Sequence, residues 1–121
     1  MQDFKKLDIW KRSFNFSSNI YKVTSFFPPD EKFGLTSQLR RASISIPINI
    51  AEGSGRNSRK DFANFVQIAI GSTSEVECEL ILAKELNFLS EDNFSTLTKE
   101  LSEIRKMLTS FRKALLNYNQ L

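Results

Sequence analysis

The stretch Gly34–Asp61, GLTSQLRRASISIPINIAEGSGRNSRKD, decides how the rest of the chain must be arranged. It opens at a glycine turn, ends in a second glycine-rich turn, and packs apolar residues between them too densely for a helix lying on a surface. Projected as a helix at about 100° per residue, Thr36–Glu52 places Gln38, Arg41, Ser45, Asn49 and Glu52 on one narrow polar strip that runs on to Arg56. Leu35, Leu39, Ala42, Ile46 and Ile50 line one flank of the strip, and Ile44, Ile48 and Ala51 line the other. A surface helix ordinarily carries one apolar stripe. Two flanks predict a helix that touches its own bundle on one side and a second body, another subunit, on the other. Pro47 lacks an N–H and crowds the carbonyl of Ser43, which predicts a kink; two short helices meeting at Pro47 remain the alternative.

A chain of 121 residues suits one domain, here residues 1–121, with a single core. Eleven phenylalanines against four glycines and three prolines point to extensive aromatic packing and few loops, and hence to a helical bundle over a sandwich. The single Cys78 forms no internal disulfide. No apolar run approaches the roughly 18 residues of a membrane span, and MQDFKKLDIWKR lacks the order of a signal peptide, so a cytoplasmic location with no membrane contact is expected. Net charge is +3, but residues 1–60 hold eleven Lys/Arg against five Asp/Glu and residues 61–121 six against nine. That asymmetry raises a polyanion partner beside the plainer reading of solvated helix faces.

In chain order, the first helix is expected over about Phe4–Phe26. Leu7, Trp10, Phe14, Ser17, Tyr21 and Thr24 form one row and Ile9, Phe16, Ile20, Val23 and Phe27 a second, before Pro28 and Pro29 stop it. Thr36 is the expected N-cap of the second helix, and Gly53 or Gly55 its left-handed C-terminal residue. Ser58 with Asp61 has the pattern of a capping box for a third helix over about Arg59–Asn87. Its rows are Phe62, Val66, Ala69, Thr73, Val76, Leu80, Ala83 and Phe65, Ile68, Ser72, Leu82, Leu86. Glu75 and Glu79 fall within the second row and are expected to be exposed or paired, since an unpaired buried carboxylate is costly. Gly71 in mid-helix predicts a close helix approach. With Ser90 as cap, the last helix, about Glu91–Tyr118, repeats Phe94, Leu97, Leu101, Ile104, Leu108, Phe111, Leu115, Tyr118 at alternating steps of three and four. Four helices with short connections predict an all-α, antiparallel up-down-up-down four-helix bundle.

Chemistry is sparse. With no histidine, the commonest general base and nitrogen ligand are missing, and the Glu-x-x-His pairs of di-iron bundles cannot form. One cysteine excludes a thiolate zinc site within one subunit. Gly53-Ser54-Gly55-Arg56 lacks the phosphate-loop pattern and a preceding strand, and reads as a tight helix–helix turn. Glu75, Glu77 and Glu79 read as a solvated or ion-paired face and Cys78 as a packing residue. No catalytic residue, metal or cofactor is expected. The basic residues are the better candidates: Arg40, Arg41, Arg56, Arg59 and Lys60 around the second helix, and Lys11 and Arg12, after Lys5 and Lys6, on the first. Lysine and arginine contacts to phosphate give affinity without sequence preference. Arg41, on the polar strip, is equally readable as a buried structural donor.

At these residues the chain resembles a known family. Gly34-Leu35-Thr36-Ser37-Gln38-Leu39-Arg40-Arg41-Ala42, then Ser45-Ile46-Pro47, Asn49-Ile50-Ala51-Glu52-Gly53 and Arg56, continuing through Ile68-Ala69 and Gly71-Ser72 to Glu75, is similar to the proteins encoded in 23S ribosomal RNA intervening sequences and to the accessory variability proteins of diversity-generating retroelements. Ile48 stands where a small residue is expected. The resemblance implies a homopentameric barrel of four-helix bundles with a basic surface for RNA or DNA and, in the retroelement relatives, a reverse transcriptase as partner. The expectation is therefore a non-enzymatic, oligomeric nucleic-acid-binding module, with a protein-interaction scaffold, such as an accessory subunit for a reverse transcriptase, as the alternative.

Overall fold

In a computed structural model, described for residues 3–117, four helices carry the chain: α1 (Asp8–Thr24), α2 (Leu35–Ser54), α3 (Arg59–Glu85) and α4 (Glu91–Asn117). Each packs antiparallel on its chain neighbour and α4 closes back on α1, so α1 and α3 occupy opposite corners, as do α2 and α4. There is no strand among the described residues. Phe16 and Ile20 of α1, Leu39, Ile46 and Ile50 of α2, Val66, Val76 and Leu80 of α3, and Leu101, Ile104 and Leu108 of α4 are fully buried. Each such side chain contributes roughly 2 kcal/mol relative to exposure, enough together to hold four helices without staples.

The expected α4 seam is buried or half-buried from Phe94 to Leu115; Tyr118 lies outside the described residues. The first α3 row is buried along its whole length. Ser58 caps α3 by accepting the Asp61 amide at 3.0 Å, and Ser90 accepts the Asn93 amide at 3.1 Å. α2 runs through Pro47 without interruption, which removes the two-helix alternative.

Other expectations are corrected. α1 begins at Asp8, four residues later than Phe4, because Leu7 is extended and Phe4–Lys6 form a separate 3₁₀ turn capped by Asp3. That turn folds Phe4 edge-on against Trp10, ring centroids 5.1 Å apart. Phe14 and Tyr21 of the first row are exposed, since among the four helices α1 packs only on α2 and α4. Thr36 is not a cap: it is buried within the first turn of α2, and the carboxylate of Glu31 accepts the Leu35 amide instead, at 3.0 Å. Neither glycine at the end of α2 is left-handed. Gly53 is helical and lies so close to α3 that an added Cβ would stand 2.7 Å from Phe62 Cδ1 and 2.8 Å from Phe65 Cβ. The close approach expected at Gly71 is absent within this chain, where an added Cβ meets nothing within 4 Å. The left-handed residue is Asn87, φ 63°, which lets the Phe88 amide reach back to the Ala83 carbonyl and ends α3.

Candidate nucleic-acid interface

Closure of the bundle sets the start of α1, the α2–α3 turn and the end of α4 side by side, through Phe62 against Phe111, ring centroids 5.2 Å apart, and a cleft of about 380 Å³ between Ser54, Arg59 and Leu115. Residues 3–11, 52–65 and 106–117 at this end hold nine Lys/Arg (Lys5, Lys6, Lys11; Arg56, Arg59, Lys60; Lys106, Arg112, Lys113) against four Asp/Glu, a balance of +5. The remainder of the chain, eight against ten, is −2.

The seven basic residues singled out from sequence divide. Arg56, Arg59, Lys60 and Lys11 belong to the basic end and all four are exposed. Arg56 stacks on Phe65, 4.6 Å from its ring centroid, with Glu52 at a loose 3.8 Å, so its fork stays at the surface. Arg59 and Arg56 line the cleft together with Ser58 and Asn57. Arg40 does not join them. Its Nε donates to Thr24 Oγ1 at 2.8 Å and its Nη2 to the Tyr21 carbonyl at 3.2 Å, with the guanidinium over the Tyr21 ring, so it fastens α2 to the end of α1. Arg12 is committed to Glu100 of α4, whose hydrogen bond raises its pKa further above the usual arginine value. Arg41 is exposed, so the reading as a buried donor falls. Lys106, Arg112 and Lys113 were not singled out, because the second half of the chain is acidic as a whole and only antiparallel closure carries this short basic segment to the end where α3 begins.

The polar strip is also narrower than projected. Ser45 and Ser72 share a hydrogen bond at 2.7 Å across the α2–α3 seam, and Asn49 Nδ2 donates to the Ser45 carbonyl at 2.8 Å and to its Oγ at 3.1 Å. Gln38, Arg41 and Glu52 are exposed and stand outside this network. Of the α2 flanks, Leu35 to Ile50 is buried as expected, whereas Ile44 and Ile48 are 37% and 53% exposed.

The carboxylates of α3 have separate fates. Glu77 accepts from Arg105 at 2.9 Å and Glu75 is exposed. Glu79, expected exposed or paired, is neither: it is 8% exposed, and its buried Oε1 has no hydrogen-bond partner among the described residues. Burial, and then the Glu75 charge, push its pKa up to about 7. Cys78 is exposed. No group of three His, Cys, Asp or Glu among the described residues could hold a metal ion, and no helix is long and apolar enough to cross a membrane.

Fold and surface thus define an all-α four-helix bundle with its positive charge gathered at one end. The family model described as 23S rRNA-intervening sequence protein matches residues 5–110, and the chain belongs to that family. It is also similar to a crystal structure from Bacteroides thetaiotaomicron VPI-5482, described as a protein with unknown function from the S23 ribosomal protein family. The two share 28% identity and a TM-score of 0.78 over 87% of this chain and 98% of that one. No curated protein matches.

Proposed function

We propose that the chain is a non-enzymatic nucleic-acid-binding module that grips phosphates with its basic end. The observation that carries this reading is the gathering of nine cationic side chains, drawn from three segments distant in sequence, against four carboxylates at one end of the bundle. The family's name points to 23S rRNA as the first polyanion to try. Fluorescence anisotropy with a structured rRNA fragment and a DNA duplex, across a salt series, tests it. Phosphate contacts require the affinity to fall steeply with salt, by about 0.9 in log–log slope per duplex phosphate neutralised. Absence of binding at low salt overturns it.

A second reading, an oligomeric scaffold that offers a surface to a protein such as a reverse transcriptase, is favoured by a separate observation. Among the described residues, large apolar side chains stand exposed on the first three helices, Phe14 and Tyr21, Ile44 and Ile48, and Ile68, Ile81 and Leu82, with Leu86 just past the end of α3, against Leu116 alone on α4. Apolar surface of this extent marks an interaction face. The pentameric barrel belongs to this reading. Light scattering tests it, and a monomer at micromolar concentration contradicts it.

A further inference from the structure

Glu79 Oε1 is buried without a hydrogen-bond partner among the described residues. On α3 the nearest charge is Glu75, one turn away and of the same sign. On α2, the antiparallel register that sets Ser45 against Ser72 sets Gln38 against Glu79 and Arg41 against Val76; Arg41 is exposed and does not offset the burial. α4 packs on the other side of α3, where Arg105 is held by Thr73 and Glu77, and α1 is at the opposite corner. On the same face of α3 as Glu79 lie Ile68, Leu82 and Leu86, 52%, 47% and 46% exposed. This edge of α3 therefore exposes aliphatic side chains together with Glu75, and among them lies the buried Glu79 with one oxygen unpartnered among the described residues.

The opposite corner is its complement. Lys11, Phe14, Ser18, Tyr21 and Lys22 fall within an arc of about 100° on α1, and all five are exposed. Lys11 and Lys22 make no ion pair among the described residues. Beyond Asp8, α1 carries no carboxylate, whereas α3 from Phe65 onward carries Glu75, Glu77, Glu79 and Glu85 with one cation, Lys84, already held by Glu91 at 3.0 Å. One corner thus offers aromatic rings flanked by lysines, and the other aliphatic side chains around carboxylates.

We propose that α1 of one copy docks along the α3 edge of the next, Phe14 and Tyr21 covering Ile68, Leu82 and Leu86 while Lys11 or Lys22 donates to Glu79. The inference rests on the oligomeric reading above. The contact is heterologous, so each copy uses both corners and the association propagates around a ring or along a filament. Pairing with a lysine requires Glu79 ionised, so assembly releases its proton. Association is then flat above about pH 8 and weakens on acidification, by at most about tenfold per pH unit and per contact.

Sedimentation equilibrium of the full chain at pH 8 and pH 6, on the native protein, on Glu79→Gln and on Lys11→Glu combined with Lys22→Glu, tests the pairing, with circular dichroism to confirm folding. The native chain should associate at pH 8 and about tenfold less tightly at pH 6. Glu79→Gln should associate about tenfold less tightly at pH 8 and lose the pH dependence; the charge reversal on α1 should weaken association at least as much. An oligomer indifferent to both variants, or one that tightens at pH 6, overturns the pairing and leaves the oligomeric reading standing. A native chain that stays monomeric at both pH values removes that reading and this inference with it.

Discussion

Arg12 and Glu100 hold each other in a two-pronged grip across the α1–α4 seam, Nη2 to Oε1 at 2.6 Å and Nε to Oε2 at 3.1 Å, with Nη1 donating to Met107 Sδ at 3.3 Å. The pair takes an arginine that sequence alone offers to a phosphate and spends it on closing the bundle. Both side chains are more than a third exposed, so the pair is partly screened. Arg12→Ala should cost about 1 kcal/mol of stability, and a double-mutant cycle with Glu100→Ala should return most of it as coupling. Denaturant unfolding checks the first; the affinity for RNA should be unchanged within twofold.

Arg40 and the basic end should separate in the same binding assay. Arg40→Ala should lower the melting temperature by loosening α2 from Thr24 and Tyr21, while leaving RNA affinity nearly intact. Arg56→Ala combined with Lys60→Ala should weaken binding and reduce the salt slope by about two duplex phosphates' worth. Equal losses from the two would argue against the basic end as the binding surface.

Two glycines in long helices should respond oppositely to alanine. At Gly53 the new Cβ meets the Phe62 ring and Phe65 Cβ at under 3 Å, so Gly53→Ala should destabilise by about 1–3 kcal/mol. At Gly71 it meets open space, so Gly71→Ala should stabilise the single chain by up to about 1 kcal/mol, the ordinary helix preference. Paired thermal melts at low protein concentration read both; a stabilised Gly53→Ala would show that α3 can move away from α2.

Glu79 gives the single chain a pH dependence of definite sign. Its folded pKa, about 7, lies above the usual value of 4.5, so the folded state holds the proton more tightly than the unfolded state. Its contribution costs nothing below pH 4.5, grows more unfavourable up to about pH 7 and is constant above. Glu79→Gln should therefore stabilise the monomer at pH 8, by up to about 3 kcal/mol, and hardly at all at pH 4.5. Chemical denaturation at the two pH values, under dilute conditions, checks it, and an equal effect at both would show that the carboxylate is not the cause.

Much of the fold was legible because it depends on period and on local chemistry. The α4 seam from Phe94 to Leu115 repeats at helical spacing, the α3 row from Phe62 to Ala83 does the same, and Ser58 and Ser90 cap through amides three residues away. Less of the candidate interface was legible. A projection assigns side chains to faces of a helix, but a face closes only where a neighbour arrives, so it could not distinguish the buried flank through Ile46 from the open one through Ile48. Nor could it show that Glu31, four residues before Leu35, would reach back to cap α2 in place of Thr36.

The sequence by itself determined four amphipathic helices, their order, their short connections and the surplus of cations, because these follow from spacing and composition along one chain. Tertiary structure alone decided which cations remain available, because a guanidinium within reach of Glu100 or of Thr24 and Tyr21 is satisfied there, while Arg56 and Lys60 meet no such strong partner. It also decided where charge accumulates, by bringing residues 106–113 beside residues 56–60, and it left Glu79 buried with its Oε1 unpartnered among the described residues. Burial and charge proximity are sums over neighbours in space, and closing the bundle is what supplies those neighbours.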